Sequence, residues 1–191
     1  ATIVYQMYQE SGIPIGKVIA SLLCSAIISD TLMFRSPTCT MVDRNAAQEL
    51  AEIAEVKIEE LANDMFRAGS NLRSKTPEEI FYQDFKKFSM NDTTFGVGQI
   101  NSMNSEELTE LKGRLYPYMK DMIKHAGVQM IFFMLTDIVK ESTELIFVGE
   151  DAEQLIADAF GIRAQGDSFI LRDVVSRKKQ LIPAIMADIQ Q

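Results

Sequence analysis

The chain has 191 residues, 47% of them hydrophobic, with 19 basic against 27 acidic side chains and a formal charge of −8. That size fits one large domain or two small ones, the apolar share excludes intrinsic disorder, and the acidic balance disfavours adhesion to nucleic acid or anionic membrane. Two cysteines, Cys24 and Cys39, stand neither in a disulfide framework nor at metal-ligand spacing, which fits a reduced, cytoplasmic setting and excludes a zinc-type site.

From Ala1 to about Asn71 the apolar spacing is helical throughout. Ile3, Val4, Met7 and Tyr8 open the pattern at once, without a start signal, which reads as the beginning of a fragment. Ile13-Pro14 breaks it, and Ile15 to Ile28 then reads as a buried helix: the apolar stretch Val18 to Ile28 is too short to span a bilayer. The polar triplet Ser29-Asp30-Thr31 ends that helix. Thr40 with Asp43 resembles a capping box, and Ala47, Leu50, Ala51 and Ala54 give the next helix one apolar face that Ile58, Leu61, Ala62 and Met65 continue. Gly69-Ser70-Asn71 stops it, and residues 70–75 read as a linker.

Beyond the linker the texture becomes mixed. Thr76-Pro77-Glu78-Glu79 opens a short helix, Thr94-Phe95 and Val97 to Ile100 are extended, and Leu108, Leu111, Leu115, Met119 and Met122 line a long helix. Met130 to Leu135 and Leu145 to Val148 are continuous apolar runs, expected of strands buried on both faces. Ala152 to Ala159 is a helix closed by Gly161, Ser168 to Leu171 a strand, and Ile182 to Ile189 the last helix. The expected fold class is α/β, in two pieces: a helical unit over 1–69 and a mixed-sheet unit over 76–191.

Familiar self-contained active sites are missing. The one histidine, His125, stands near the end of the long helix, where it suits the last carbonyls. Gly96-Val97-Gly98 has the spacing of a dinucleotide fingerprint, but Asn101 stands where the third glycine belongs and no strand-turn-helix context fits. Two features remain. Asp30 is a carboxylate ending an apolar helix between two hydroxyl residues, either a solvated helix end or, if buried, a charge that needs a cationic or metal partner. Ser176-Arg177-Lys178-Lys179-Gln180 is a basic cluster at the start of the final helix, either a solvated turn or a phosphate site built from backbone donors, an arginine fork and a lysine point charge. Lys86-Lys87 is a lesser basic spot that would face the same anion if the domain folds back on itself.

The blocks that carry these residues resemble a known family. Ala26-Ile27-Ile28-Ser29-Asp30-Thr31 with Phe34-Arg35-Ser36-Pro37-Thr38 is similar to the last block of the catalytic domain in the family II, manganese-dependent inorganic pyrophosphatases of the DHH phosphoesterase superfamily. Asp84-Phe85-Lys86-Lys87-Phe88, Val97-Gly98-Gln99-Ile100-Asn101, Leu135-Thr136-Asp137-Ile138 and Ser176 to Gln180 resemble, in order, the blocks of its C-terminal substrate-binding domain.

The resemblance implies a hydrolase whose divalent metals, typically manganese with cobalt or magnesium as alternatives, activate a water that attacks pyrophosphate in the cleft between two domains. Carried over, Asp30 is a metal ligand, Arg177 and Lys178 bind the electrophilic phosphate, and Lys86 adds a substrate contact. Residues 1–69 then correspond to the end of the DHH catalytic domain and 76–191 to the substrate domain. The family's histidine-aspartate motifs have no match here, so no catalytic set is complete in this chain. It reads as the C-terminal part of a longer polypeptide and is expected to be inactive alone. Without a covering sheet its first apolar helices favour self-association, so a homodimer is expected. The competing functions are an exopolyphosphatase or other DHH phosphoesterase, and a catalytically silent anion-binding module.

Overall fold

The protein is described by a computed structural model over residues 1–69 and 72–190. It divides into two units, Ala1–Gly69 and Ser70–Gln191. The turn expected at Ser70-Asn71 lies outside the described residues.

The first unit holds four helices, α1 (Thr2–Glu10), α2 (Lys17–Asp30), α3 (Met41–Ala54) and α4 (Ile58–Gly69). α3 starts on the expected capping box: the Thr40 hydroxyl accepts from the Asp43 amide and the Asp43 carboxylate accepts from the Thr40 amide. The core joins Ala20, Cys24, Ile27 and Ile28 of α2 to Ala47, Leu50 and Ala51 of α3 and Ala62 of α4. Two expectations need correction. α2 is not buried all round: one stripe is covered, while Val18 is 73% and Leu22 62% exposed. Nor does α3 run on through Ile58, because Glu55 takes a left-handed φ of 58° and closes α3, with the Val56 amide returning to the Ala51 carbonyl at 3.0 Å. Glycine usually fills that position, so no local signal marked the break.

α1 is tied to α3 by Tyr5, whose hydroxyl donates to the Glu49 carboxylate, with Gln9 Nε2 donating to both. Burial first, then the bond and charge of Glu49, push the Tyr5 phenol up to about 12. A folded-state pKa above the unfolded value makes this contribution complete below about pH 10, with loss as the pH rises towards 12. At roughly 1.4 kcal/mol per unit the loss is on the order of 2 kcal/mol. Urea melts of the protein and of Tyr5→Phe are expected to converge between pH 9 and pH 11.5; a constant difference would refute the assignment.

The second unit is a mixed sheet with helices on both faces. Its strands are β1 (Phe85–Met90), β2 (Thr93–Ser102), β3 (Met130–Asp137), β4 (Ser142–Val148) and β5 (Ser168–Arg172), in that spatial order. β2 and β3 are parallel and the other pairs antiparallel. α5 (Pro77–Gln83) precedes the sheet, α6 (Ser105–Met122) links β2 to β3, and α7 (Ala152–Phe160) lies between β4 and β5. A π-helical turn (Arg177–Leu181) leads into α8 (Ile182–Ile189). The α/β class and the expected helices and strands are present.

β3 explains its own sequence. Ile131, Phe133 and Leu135 enter the core beneath α5 and α6, Met130, Phe132 and Met134 the core with α7 and α8, and all eight residues are buried. The glycines of Gly96-Val97-Gly98 are packing devices: a Cβ on Gly96 would overlap the Phe85 ring, and one on Gly98 the Phe133 ring. They admit an aromatic stack in which Phe81 lies 4.4 Å from Phe85 and 6.1 Å from Phe133 between ring centroids. Residues 72–75 are held against α6, where the Leu72 amide donates to Glu107 and Arg114 donates to the Leu72 and Lys75 carbonyls. No helix among the described residues is long and apolar enough to cross a membrane.

Candidate functional site

The basic cluster is built on a turn whose polar groups are largely used by the fold. Gln180 Oε1 accepts from the Val175 and Ser176 amides, each at 3.0 Å, and Ser176 Oγ accepts from the Lys179 amide at 3.3 Å. The Arg177 amide donates to Gln99 Oε1 at 3.3 Å. This narrows the expectation that backbone donors here serve an anion. Serine and glutamine at the two ends of the block act as a cap, so the donors left for a ligand are chiefly the basic side chains.

Arg177 reaches across the sheet to the strand that carries Lys86. Its Nη1 donates to the Asp84 carbonyl at 2.6 Å and the Val97 carbonyl at 3.1 Å, and its Nη2 donates to Asp84 Oδ1 at 2.8 Å. The arginine side chain is 8% exposed and that of Asp84 46%. Lys86 stands two residues beyond Asp84 and pairs with Val97, the residue whose carbonyl Arg177 holds. Alternation along β1 puts Lys86 on the face of Phe88 and Val97, the face that the Arg177 turn and α8 cover. Lys87 falls on the opposite face. Lys86 and Lys178 are both exposed. The structure thus brings Arg177, Lys178 and the strand bearing Lys86 to one end of the sheet, the arrangement that required the domain to fold back.

Three residues that hold this end were not singled out from the sequence as site residues. Asp84 pairs with the guanidinium and Gln180 caps the turn. Gln99 links the turn to the sheet: its Nε2 lies 2.9 Å from the Val175 carbonyl and 3.2 Å from Thr136 Oγ1. Thr136 meets Thr143 at 2.9 Å, and Thr143 donates to the Val174 carbonyl at 2.6 Å. The available signal was a glutamine, an asparagine and a threonine at period-two positions in otherwise apolar strands.

Asp30 belongs to the first unit. It ends α2 and is exposed, so the buried alternative is not realised. The next residue is buried: the Thr31 hydroxyl donates to the Ile27 carbonyl at 2.7 Å and accepts from the Phe34 amide at 3.1 Å. Leu32, Met33 and Phe34 all carry left-handed φ angles of 49°, 52° and 69°. Such a conformation costs an L-residue about 1–2 kcal/mol, and the turn is held by Thr31 and by Arg44 Nη2, which donates to the Phe34 carbonyl at 2.9 Å. His125 is exposed in the turn after α6. Among the described residues no group of three or more His, Cys, Asp or Glu side chains is placed to hold a metal ion.

Residues 63–187 match the family model of the DHHA2 domain. The chain belongs to the DHHA2 domain family. The DHHA2 match takes in Asp84, Lys86, Gln99, Arg177 and Lys178, and leaves Asp30 outside. The chain is 40% identical over 190 residues to a probable manganese-dependent inorganic pyrophosphatase of Clostridium acetobutylicum, covering 100% of this chain and 61% of that protein. It is 41% identical over 185 residues to a cobalt-dependent inorganic pyrophosphatase of Clostridium perfringens, covering 97% of this chain and 34% of that protein. A crystal structure of a Methanococcus jannaschii protein assigned to the family II inorganic pyrophosphatases superposes with a TM-score of 0.84 at 35% identity, over 100% of this chain and 64% of that one. This DHHA2 protein therefore spans about 60% of the length of the Clostridium acetobutylicum relative.

Proposed function

We propose that this chain is the pyrophosphate-binding part of a manganese-dependent inorganic pyrophosphatase, with residues 1–69 the end of its DHH catalytic domain and 76–191 its substrate domain. The observation that carries the reading is that Arg177, next to Lys178, is bonded to Asp84 and Val97, the residues two before and directly opposite Lys86, in a chain of charge −8. Arginine offers a planar fork to phosphate oxygens and lysine a compact charge, and together they offset the negative charge that grows on a phosphoryl group as it is displaced. Relatives named for pyrophosphate support the choice of anion.

The described residues do not by themselves make a manganese site. An exposed carboxylate such as Asp30 suits a hard divalent ion, but one carboxylate is far from the several oxygen and nitrogen ligands such an ion takes. The remaining ligands are proposed to come from outside these 191 residues, with cobalt or magnesium as alternative ions. A cytoplasmic setting accords with two free cysteines, Cys24 and Cys39. A homodimer accords with the exposed apolar side chains Ile3, Met7, Val18 and Leu22 of the first unit; sedimentation that stays monomeric at every concentration would count against it.

Calorimetric titration of pyrophosphate into the chain tests the anion site. Lys178→Ala is expected to weaken binding about tenfold or more, the loss of one charge-assisted contact, while stability stays within about 0.5 kcal/mol because the residue is exposed. Equal affinity in the variant would remove Lys178 from the site.

A further inference from the structure

We infer that Asp84 is a positioning residue for the anion site: it presets the Arg177 guanidinium as a two-donor fork, with Lys86 carried on the strand that starts at the next residue. The inference deepens the pyrophosphate reading and rests on it.

A guanidinium has five N–H donors, one on Nε and two on each Nη. Both Nη1 donors are taken, by the Asp84 and Val97 carbonyls, and one Nη2 donor by Asp84 Oδ1. That leaves the Nε–H and the second Nη2–H, a pair that can meet two oxygens of one phosphate. The group is held from three directions within a side chain that is 8% exposed, so it has little rotamer freedom left to lose when an anion arrives. Its backbone is fixed as well, since the Arg177 amide is bonded to Gln99.

Asp84 also stands at the end of α5, immediately before the strand that carries Lys86, with Phe85 opposite Gly98 and Lys86 opposite Val97. One residue thus sets both the arginine and the origin of the lysine strand. The arrangement has an electrostatic cost, because a carboxylate beside an anion site repels the ligand. Coulomb attraction alone would select against an acid here, and the geometry of the fork is what Asp84 supplies in return.

Charge and position therefore predict opposite signs for Asp84→Asn. Removing a negative charge beside Lys86 and Arg177 should tighten pyrophosphate binding if charge alone matters. Positioning predicts that it weakens, by about fivefold to tenfold, with Asp84→Glu, which keeps the carboxylate, recovering most of the loss and showing that the site tolerates substitution. The second readout is the Arg177 Nη–H resonances of the unliganded chain, which donate to Asp84 and Val97. They are expected to be protected from exchange in the wild type and in Asp84→Glu, and to broaden in Asp84→Asn. Unchanged or tighter binding by Asp84→Asn overturns the inference, as do Arg177 resonances that are unprotected in the wild type. If the wild type binds no pyrophosphate while the resonances are protected and lost in Asp84→Asn, the pyrophosphate reading fails and the Asp84 brace stands.

Discussion

Arg177→Ala is expected to destabilise the second unit by about 2–3 kcal/mol and to abolish its binding of pyrophosphate. The side chain is nearly inaccessible and makes three bonds to Asp84 and Val97. Each lost bond to a carbonyl is worth about 1 kcal/mol, and the arginine stem adds packing. The total stays below the roughly 3–5 kcal/mol of a fully buried pair, because Asp84 is half exposed and regains water when its partner goes. Urea unfolding followed by circular dichroism measures the shift, and a lower midpoint at unchanged slope is the expected form. A loss under about 0.5 kcal/mol, the range of a plain surface substitution, would show that the arginine does not brace the sheet. Lys178→Ala is the matched contrast: the neighbouring cation is exposed, so it should lower affinity and leave the midpoint in place.

The parts of the fold that were legible in the sequence are those whose cause is local. Thr40 with Asp43 and Thr76 with Glu79 are caps written within four residues, and both form with reciprocal bonds. Met130 to Leu135 is apolar at every position because β3 is covered on both sides. The break at Glu55 was not legible, since a glutamate in the left-handed region carries none of the usual turn chemistry. The partial exposure of α2 was hidden for a related reason: a helix apolar all round does not say which stripe its neighbours will cover. β1 was missed because its exposed Lys86 and Lys87 interrupt the alternation of an edge strand.

The site divides along the same line. Basic residues at 86, 177 and 178 stand out in an acidic chain, and a common anion site for them was an expectation that depended on the domain folding back. What holds them was not, because Asp84 and Arg177 are 93 residues apart and the Arg177–Gln99 bond spans 78. Local pattern carries no information about such pairs. The amides of the 176–180 block read as anion donors because the residues that cap them, Ser176 and Gln180, stand within the block itself, and side chains that close their own turn look no different in sequence from ones that leave it open.

The largest effect of all is expected in turnover. Asp30 is one carboxylate, and no three metal-capable side chains gather among the described residues. With the proposed anion fork and no metal set among the described residues, the chain should bind pyrophosphate without cleaving it. The most direct measurement is phosphate release from pyrophosphate with manganese, comparing the 191-residue chain with a polypeptide of its relatives' full length. The expected result is turnover by the longer polypeptide, lost on Lys178→Ala, and none above background by the chain itself. Sustained release by the 191-residue chain would contradict the division of the site, and a longer polypeptide that leaves pyrophosphate intact while cleaving polyphosphate would contradict the substrate.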